Sequence, residues 1–542
     1  MLKSYRSFTV MLLVLVVAEA AFCAPKVRIM PPDRSSFAVG QWFDIRVEAS
    51  GITGDSYEFK VEINGQPVDA ISWARPEFTS TGAGRREVTL RRVSFDKPLQ
   101  GSISATVKDS TGEASAVSTF RVVDVSGPAP KVKNVILMIG DGFGLAHRTA
   151  ARIVSRGLRE GRYNAPLEVD DMDAHGYTST SSMDSLVTDS ANGGTAFAGG
   201  NKTKNGSLCV WPDNTSDPTD NPRFENIISY LKRTRGLAAG VVTTDSVAGA
   251  TPAAFLAYCD DRNQTAKIVA QYPDSAPEVL MGGGRNVVSA SVRDKFIKAG
   301  YAYVTTAAEL AALPANTTKC LGLFSGDVME TYVDRAQAQR KGSGAGLTEP
   351  SLPEMTEAAI RMLSQYPNGF ILVVEGASID KESHSKDSNR AIWEAIEFDR
   401  AVGVAKRFAA SRNDTLVVVT ADHETGGLTI TGLSGNKLSL GWGTLTITPG
   451  EGMTEPAYTA PATGSADHTA VDVPISAFGP GASEFGKYMD ATEVFFCILR
   501  AVEGGYRRPE AQPGDVNGDG KITLADVTLL LRAAVGLTTI GR

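Results

Sequence analysis

The stretch Val135-Ile-Leu-Met-Ile-Gly-Asp141 decides the fold of this chain. Five apolar residues in a row, with no polar alternation, read as a β-strand covered on both faces. The run ends on a carboxylate. Three more runs repeat the pattern: Leu237-Ala-Ala-Gly-Val-Val242, Phe370-Ile-Leu-Val-Val374 and Leu416-Val-Val-Val419. Helical stretches such as Glu354-Met-Thr-Glu-Ala-Ala-Ile-Arg-Met-Leu363 alternate with them. Parallel strands interleaved with helices predict an α/β domain, which we place at 131–505.

Two proline-bearing connectors bound that domain, Val125-Ser-Gly-Pro-Ala-Pro130 and Arg507-Arg-Pro-Glu-Ala-Gln-Pro-Gly514. Before the first, Phe43-Asp-Ile-Arg-Val-Glu-Ala49 and Tyr57-Glu-Phe-Lys-Val-Glu-Ile63 alternate with period two, and the turn pair Asn64-Gly65 follows. Residues 26–124 therefore read as an Ig-like β-sandwich without a titratable cluster of its own. Residues 1–20 carry Lys3 and Arg6, then an apolar run from Phe8 to Ala18 and an Ala18-Glu-Ala20 cleavage signature. That is the pattern of a signal peptide, so the protein is expected to be secreted, periplasmic or held at the cell surface. Export permits disulfides, and Cys209, Cys259, Cys320 and Cys497 are expected to form one or two structural bridges. At the other end, 513–538 contains Asp515, Asn517, Asp519, Lys521 and Asp526 at loop positions 1, 3, 5, 7 and 12, with Gly520 at the tight turn. This spacing aims oxygens, including the Lys521 carbonyl, at one calcium ion. The loop and the apolar helix after it resemble a single dockerin repeat, which implies a cohesin-like or cell-surface partner.

Composition excludes several classes. The 542 residues hold 54 Lys+Arg against 61 Asp+Glu, a formal charge of −7, so no basic face for nucleic acid is evident. A 42% hydrophobic fraction is too high for a disordered chain. Histidine is scarce, with five residues in all.

The acids at the strand ends carry the chemistry. Asp141, Glu375 and Asp422 each follow a buried-strand run, and ligand sites of open α/β sheets lie outside the carboxyl ends of the strands. Converging carboxylates repel one another unless cations are bound. Asp380 and His384 are spaced i, i+4 and share one side of a helical turn. His423 adjoins Asp422, and His468 follows further on. Imidazole with carboxylate and no thiolate suits zinc of the catalytic kind. His147 reads as a first-turn helix residue and His175 as a loop or edge-strand residue, neither a ligand. Ser190, in Thr188-Asp-Ser-Ala-Asn-Gly-Gly194, is the candidate nucleophile at the start of a helix whose N–H groups face an anion. There is no G-x-S-x-G elbow, and Ala191-Asn192-Gly193 breaks the C/S-x-P-x-R pattern of sulfatases.

Six motifs in order, Asp141-Gly-Phe-Gly144, Thr188-Asp-Ser-Ala191, Ala250-Thr-Pro-Ala-Ala254, Glu375-Gly-Ala-Ser-Ile-Asp-Lys-Glu-Ser-His384, Thr420-Ala-Asp-His-Glu-Thr-Gly-Gly427 and Asp467-His-Thr469, resemble the alkaline phosphatase family. The resemblance covers 134–505 and implies a three-layer α/β/α catalytic domain with a mostly parallel sheet. It implies hydrolysis of phosphate monoesters through a phosphoserine at Ser190, with Arg262 holding phosphate. It further implies two zinc ions, one held by Asp380, His384 and His468, the other by Asp141, Asp422 and His423. A magnesium ion is implied at Asp141, Thr251 and Glu375, with Lys381 behind it, and a homodimer as the assembly. The chain departs from the family at Gly249, where Asp or His commonly stands beside the magnesium. Weaker magnesium binding, or an extra water on the ion, is the expectation there.

Overall fold

The computed structural model describes residues 24–126, 132–448, 450–504 and 527. The predicted signal peptide, the 507–514 connector and the calcium loop from Asp515 to Asp526 lie outside the described residues. The chain divides into two compact units. Of the described residues, one unit comprises those through Ile29 with Arg46–Leu90 and Ser102–Ser118; the other comprises Met30–Ile45, Arg91–Gly101 and the described residues from Thr119 onward.

The first unit is β-rich. Glu58–Ile63 pairs antiparallel with a neighbouring strand from Glu58 opposite Lys108 to Ile63 opposite Ile103. Val61 and Ile63 point inward and Lys60 outward, as the period-two pattern requires. Asn64 and Gly65 both take positive φ, 53° and 74°, the geometry of a two-residue hairpin whose twist matches its strands. A small core of Ala49, Ile52 and Val107 is flanked by Val27, Phe59 and Ala114.

The second unit is built on one ten-stranded sheet. In chain order its strands are β1 Asn134–Gly140, β2 Ala174–Ser179, β3 Ala238–Ser246, β4 Val279–Gly283, β5 Ala302–Val304, β6 Cys320–Leu323, β7 Phe370–Gly376, β8 Thr415–Thr420, β9 Val473–Phe478 and β10 Tyr488–Asp490. The spatial order is β5-β6-β4-β3-β7-β1-β8-β9-β2-β10. All pairings are parallel except that β9 runs against both β8 and β2. The four apolar runs that announced the sheet are its centre, β3, β7, β1 and β8, and their residues are almost wholly buried. Helices α1 Leu145–Arg156, α2 Ser190–Gly199, α3 Ala250–Leu256, α4 Leu352–Leu363, α5 Ser378–His384 and α6 Ser388–Ala410 follow along the chain. Core residues of α1, α4 and α6 pack on alternate strand residues such as Ile136, Met138, Leu372 and Val417. Register then does the positioning. Ile139 lies opposite Glu375 and Thr420, and Thr243 opposite Glu375, so β1, β3, β7 and β8 end at one edge with their acids together.

Two expectations change. The four cysteines are buried free thiols, not bridges. Cys209 Sγ donates to the Ala254 carbonyl and Cys259 Sγ to that of Asp261, Cys320 opens β6, and Cys497 sits in the helix Ala491–Glu503. Each fills its own piece of core as a small apolar residue, and burial pushes the Cys209 and Cys320 thiols up to about 12. His175 lies in β2, one strand in from the sheet edge rather than on it. Among the described residues no helix is long and apolar enough to cross a membrane.

Candidate active site

Asp141 leaves β1 directly into the site, and its Oδ1 is buried with no hydrogen-bond partner. Asp422, two residues beyond β8, points in beside it, and its Oδ2 is likewise buried and unpartnered. His423 Nε2 stands 3.5 Å from Asp141 Oδ1 and 3.3 Å from Asp422 Oδ2. These three form one compact donor group. Asp380, His423 and His468 form a second, the two rings stacked with centroids 3.5 Å apart. His384, one turn after Asp380 on α5, completes that side: its Nε2 is 3.1 Å from His468 Nε2 and 3.4 Å from Asp380 Oδ1.

Neighbouring groups fix which nitrogen each ring presents. His384 Nδ1 donates to the Ala466 carbonyl at 2.6 Å, and His468 Nδ1 to that of Thr188 at 2.8 Å. Thr425 Oγ1 donates to Asp380 Oδ1, which leaves its lone pair for His423 Nδ1–H at 3.2 Å. With each Nδ1 engaged elsewhere, all three Nε2 atoms turn toward the carboxylates, the arrangement of a histidine metal site. Two orphaned buried carboxylate oxygens and three aimed imidazoles fit cations of the zinc type.

The charges tell the same story. Burial, reinforced by Asp422, Asp380 and Glu375, drives the Asp141 carboxyl well above the usual range. Burial acts the same way on Asp380, but hydrogen bonds from His384 and His468 outweigh it and hold that carboxyl low. The hydrogen bond to Asp380 raises His384 to about 9, despite partial burial. Burial raises Glu375 to about 7, with Asp245 adding to it. Without cations, then, this pocket holds acids that repel, His384 and His468 favoured in their protonated forms, and a His423 that burial pushes toward neutrality.

Ser190 is the first residue of α2. Asp189 caps that helix, its carboxylate accepting from Asn192 N at 3.1 Å. Gly193 lets the helix come close, since a Cβ there would lie 2.7 Å from Asp422 Cβ. Ser190 Oγ is consequently 3.2 Å from His423 Nε2 and 3.5 Å from Asp141 Oδ2. Arg262 reaches the same place, held by Asp189 Oδ2 at 3.1 Å. Burial works against its positive charge, but Asp189 more than compensates. A cleft of about 500 Å³ opens here, with Ser190, Arg262, Lys381, His384 and His468 in its wall. Glu375 ends β7 behind Asp141; Thr251, on α3, borders Glu375, and its Oγ1 is buried without a geometrically formed hydrogen bond. Every residue singled out for this site from the sequence is brought to this one edge of the sheet.

His147 and His175 stay outside both donor groups. His147 Nε2 meets Ser383 Oγ at 2.9 Å, and His175 Nδ1 meets Ser476 Oγ at 2.9 Å. Sequence reasoning gave no role to Thr425 or Asp189. The signal for Asp189 was its place directly before a helix start, where Asp is a preferred cap. Thr425 lay inside a quoted motif, two residues beyond His423.

Sheet-edge acids, presented imidazoles, a helix-capped serine and a half-buried arginine together define a hydrolase of the oxyanion-binding kind. Comparison with known proteins gives the family. The model of a family described as alkaline phosphatase matches residues 132–441. The streptomycin-6-phosphate phosphatase of Streptomyces griseus is 34% identical over 457 residues, spanning 72% of this chain and 94% of its own. Alkaline phosphatase H of Pseudomonas aeruginosa is 32% identical and spans 69% of this chain and 85% of its own. The solved alkaline phosphatase of the Antarctic bacterium TAB5 has a TM-score of 0.54 at 29% identity and covers 69% of this chain and 98% of that one. A variant of it, at 28% identity and TM-score 0.54, carries magnesium in its M3 site. This chain belongs to the alkaline phosphatase family, whose members are phosphoric monoester hydrolases.

Proposed function

We propose that the protein is an exported, metal-dependent alkaline phosphatase that hydrolyses phosphate monoesters through a phosphoserine on Ser190. Asp380, His384 and His468 would hold one zinc, Asp141, Asp422 and His423 the other, and Asp141, Thr251 and Glu375 a magnesium ion. When bound, the zinc ions supply Lewis-acid charge that lowers the pKa of a hydroxyl held against them. Ser190 Oγ attacks phosphorus in line, the ester oxygen leaves, and water later cleaves the phosphoserine to return the hydroxyl. Arg262, a planar fork fixed by Asp189, binds two phosphoryl oxygens at once, and the N–H groups opening α2 face the same anion. A fork of this kind favours a monoester dianion, because a diester carries a substituent on one of those oxygens. The observation that carries the reading is Ser190 Oγ within 3.5 Å of both His423 Nε2 and Asp141 Oδ2, beside carboxylate oxygens that have no other partner.

Ser190→Ala should abolish turnover of p-nitrophenyl phosphate while leaving zinc content intact; undiminished turnover overturns the assignment. Dialysis against a chelator should stop the wild-type enzyme, and zinc should restore it. The reading extends to the ends of the chain, with 1–20 removed on export and one calcium ion held by Asp515, Asn517, Asp519, Lys521 and Asp526. N-terminal sequencing of the mature protein, expected to start at Ala21, tests the first. Calcium titration of the full chain tests the second.

A further inference from the structure

The end of β3 is irregular. Its pairing with β4 sets Val242 opposite Met281 and resumes with Ser246 opposite Gly283, so Thr243-Thr244-Asp245 face the single residue Gly282. Bulges of this kind re-aim side chains and recur beside active sites. Thr243 Oγ1 turns to Glu375 Oε2, and Asp245 N donates back to Thr243 Oγ1 at 2.8 Å. The carboxylate of Asp245 is thereby carried toward the start of α3. Its Oδ1 accepts from Ser246 N at 2.7 Å, and its Oδ2 lies 3.1 Å from Lys381 Nζ.

Position 249 explains why it fits. A Cβ there would fall 2.4 Å from Asp245 Oδ2, 2.9 Å from its Cγ and 3.0 Å from the Ser246 carbonyl. The backbone at Gly249 is ordinary, with φ −58°, so glycine is needed for space and not for conformation. A side chain at 249 and the carboxylate of Asp245 compete for one volume. Thr251, two residues beyond Gly249, is buried and borders Glu375. Lys381, the partner of Asp245, lines the cleft beside Ser190 and Arg262.

We propose that Asp245 is a positioning residue that supplies, from the β3 bulge, the carboxylate for which Gly249 leaves room, completing the magnesium cradle and holding Lys381 toward the phosphate pocket. The inference rests on the magnesium reading of Asp141, Thr251 and Glu375. Its test is calorimetric titration of magnesium alone, and separately of inorganic phosphate, into zinc-loaded full-length protein. Asp245→Asn keeps the shape and should weaken magnesium at least about 10-fold, the usual scale for groups that orient or adjoin metal ligands. It should also weaken phosphate about 3-fold or more, raising KM more than it lowers kcat, because Lys381 loses its anchor. Gly249→Ala should do the same from the other side, its methyl displacing the Asp245 carboxylate, and it provides an independent arm if the first variant folds poorly. Near-wild-type affinities, within 2-fold, in either folded variant would overturn the inference, provided Thr251→Val loses magnesium. Wild-type protein that takes up no magnesium would instead overturn the three-metal reading, and the inference with it.

Discussion

Thr425 offers the sharpest perturbation, because a single buried hydroxyl braces both donor groups. It is wholly buried, donates to Asp380 Oδ1 and accepts from His423 Nδ1 at 3.2 Å. Thr425→Val keeps the shape and removes both bonds. The bond to an ionised carboxylate is worth about 1.5–3 kcal/mol, and leaving the His423 N–H buried without a partner costs a further ~1–3 kcal/mol. The metal-free protein should therefore lose about 2.5–6 kcal/mol of stability, read from urea unfolding. Zinc affinity should fall about 10–100-fold, as when groups that orient ligands are removed elsewhere. Because Asp380 serves one donor group and His423 is shared by both, chelator competition should show both zinc ions weakened. Thr425→Ser, which restores the hydroxyl, should recover most of the affinity. If Thr425→Val binds both zinc ions within 2-fold of wild type, the hydroxyl does not orient the ligands and the reasoning is wrong.

Other outcomes follow from the same geometry. His384 titrates near 9 in the metal-free protein because Asp380 bonds its protonated form, so it is charged at pH 7.5 and neutral by pH 10.5. Since its folded pKa is raised, the stability it adds is fully present below about 6.5 and is lost as pH rises through about 9. Zinc must displace that proton, so calorimetry at pH 7.5 in buffers of different ionisation enthalpy should show at least about one proton released per protein, and almost none at pH 10.5. Arg335 is buried against Glu397, with Glu394 and Glu349 in its field. Arg335→Met should cost about 3–5 kcal/mol by stranding those acids, measured as a fall in the urea midpoint. The mature protein, which keeps Cys23 when it starts at Ala21, should titrate five thiols when unfolded without reductant, Cys23 together with Cys209, Cys259, Cys320 and Cys497; three or one would mean bridges form after all.

The sheet and its acids were legible because a strand buried on both faces writes itself as an unbroken apolar run. A carboxylate after such a run has one place to go. Asp141, Glu375 and Asp422 could be located this way, and the i, i+4 spacing did the same for Asp380 and His384. What could not be read depends on contacts between distant loops. The carbonyls of Ala466 and Thr188 that set the tautomers of His384 and His468 leave no side-chain signature at all. The antiparallel course of β9 is invisible in the composition of Val473–Phe478. The missing side chain at Gly249 was plain in the sequence, but the carboxylate filling its volume comes from a bulge four residues earlier. The cysteines misled because a permissive compartment says nothing about whether two thiols meet.

The measurement that bears most directly on the central claim is acid quenching of the zinc- and magnesium-loaded enzyme during turnover of a phosphomonoester, followed by phosphopeptide mapping. The account predicts a single phosphorylated residue, Ser190. Full turnover with no phosphate trapped on the protein, or phosphate found on any other residue, would contradict it.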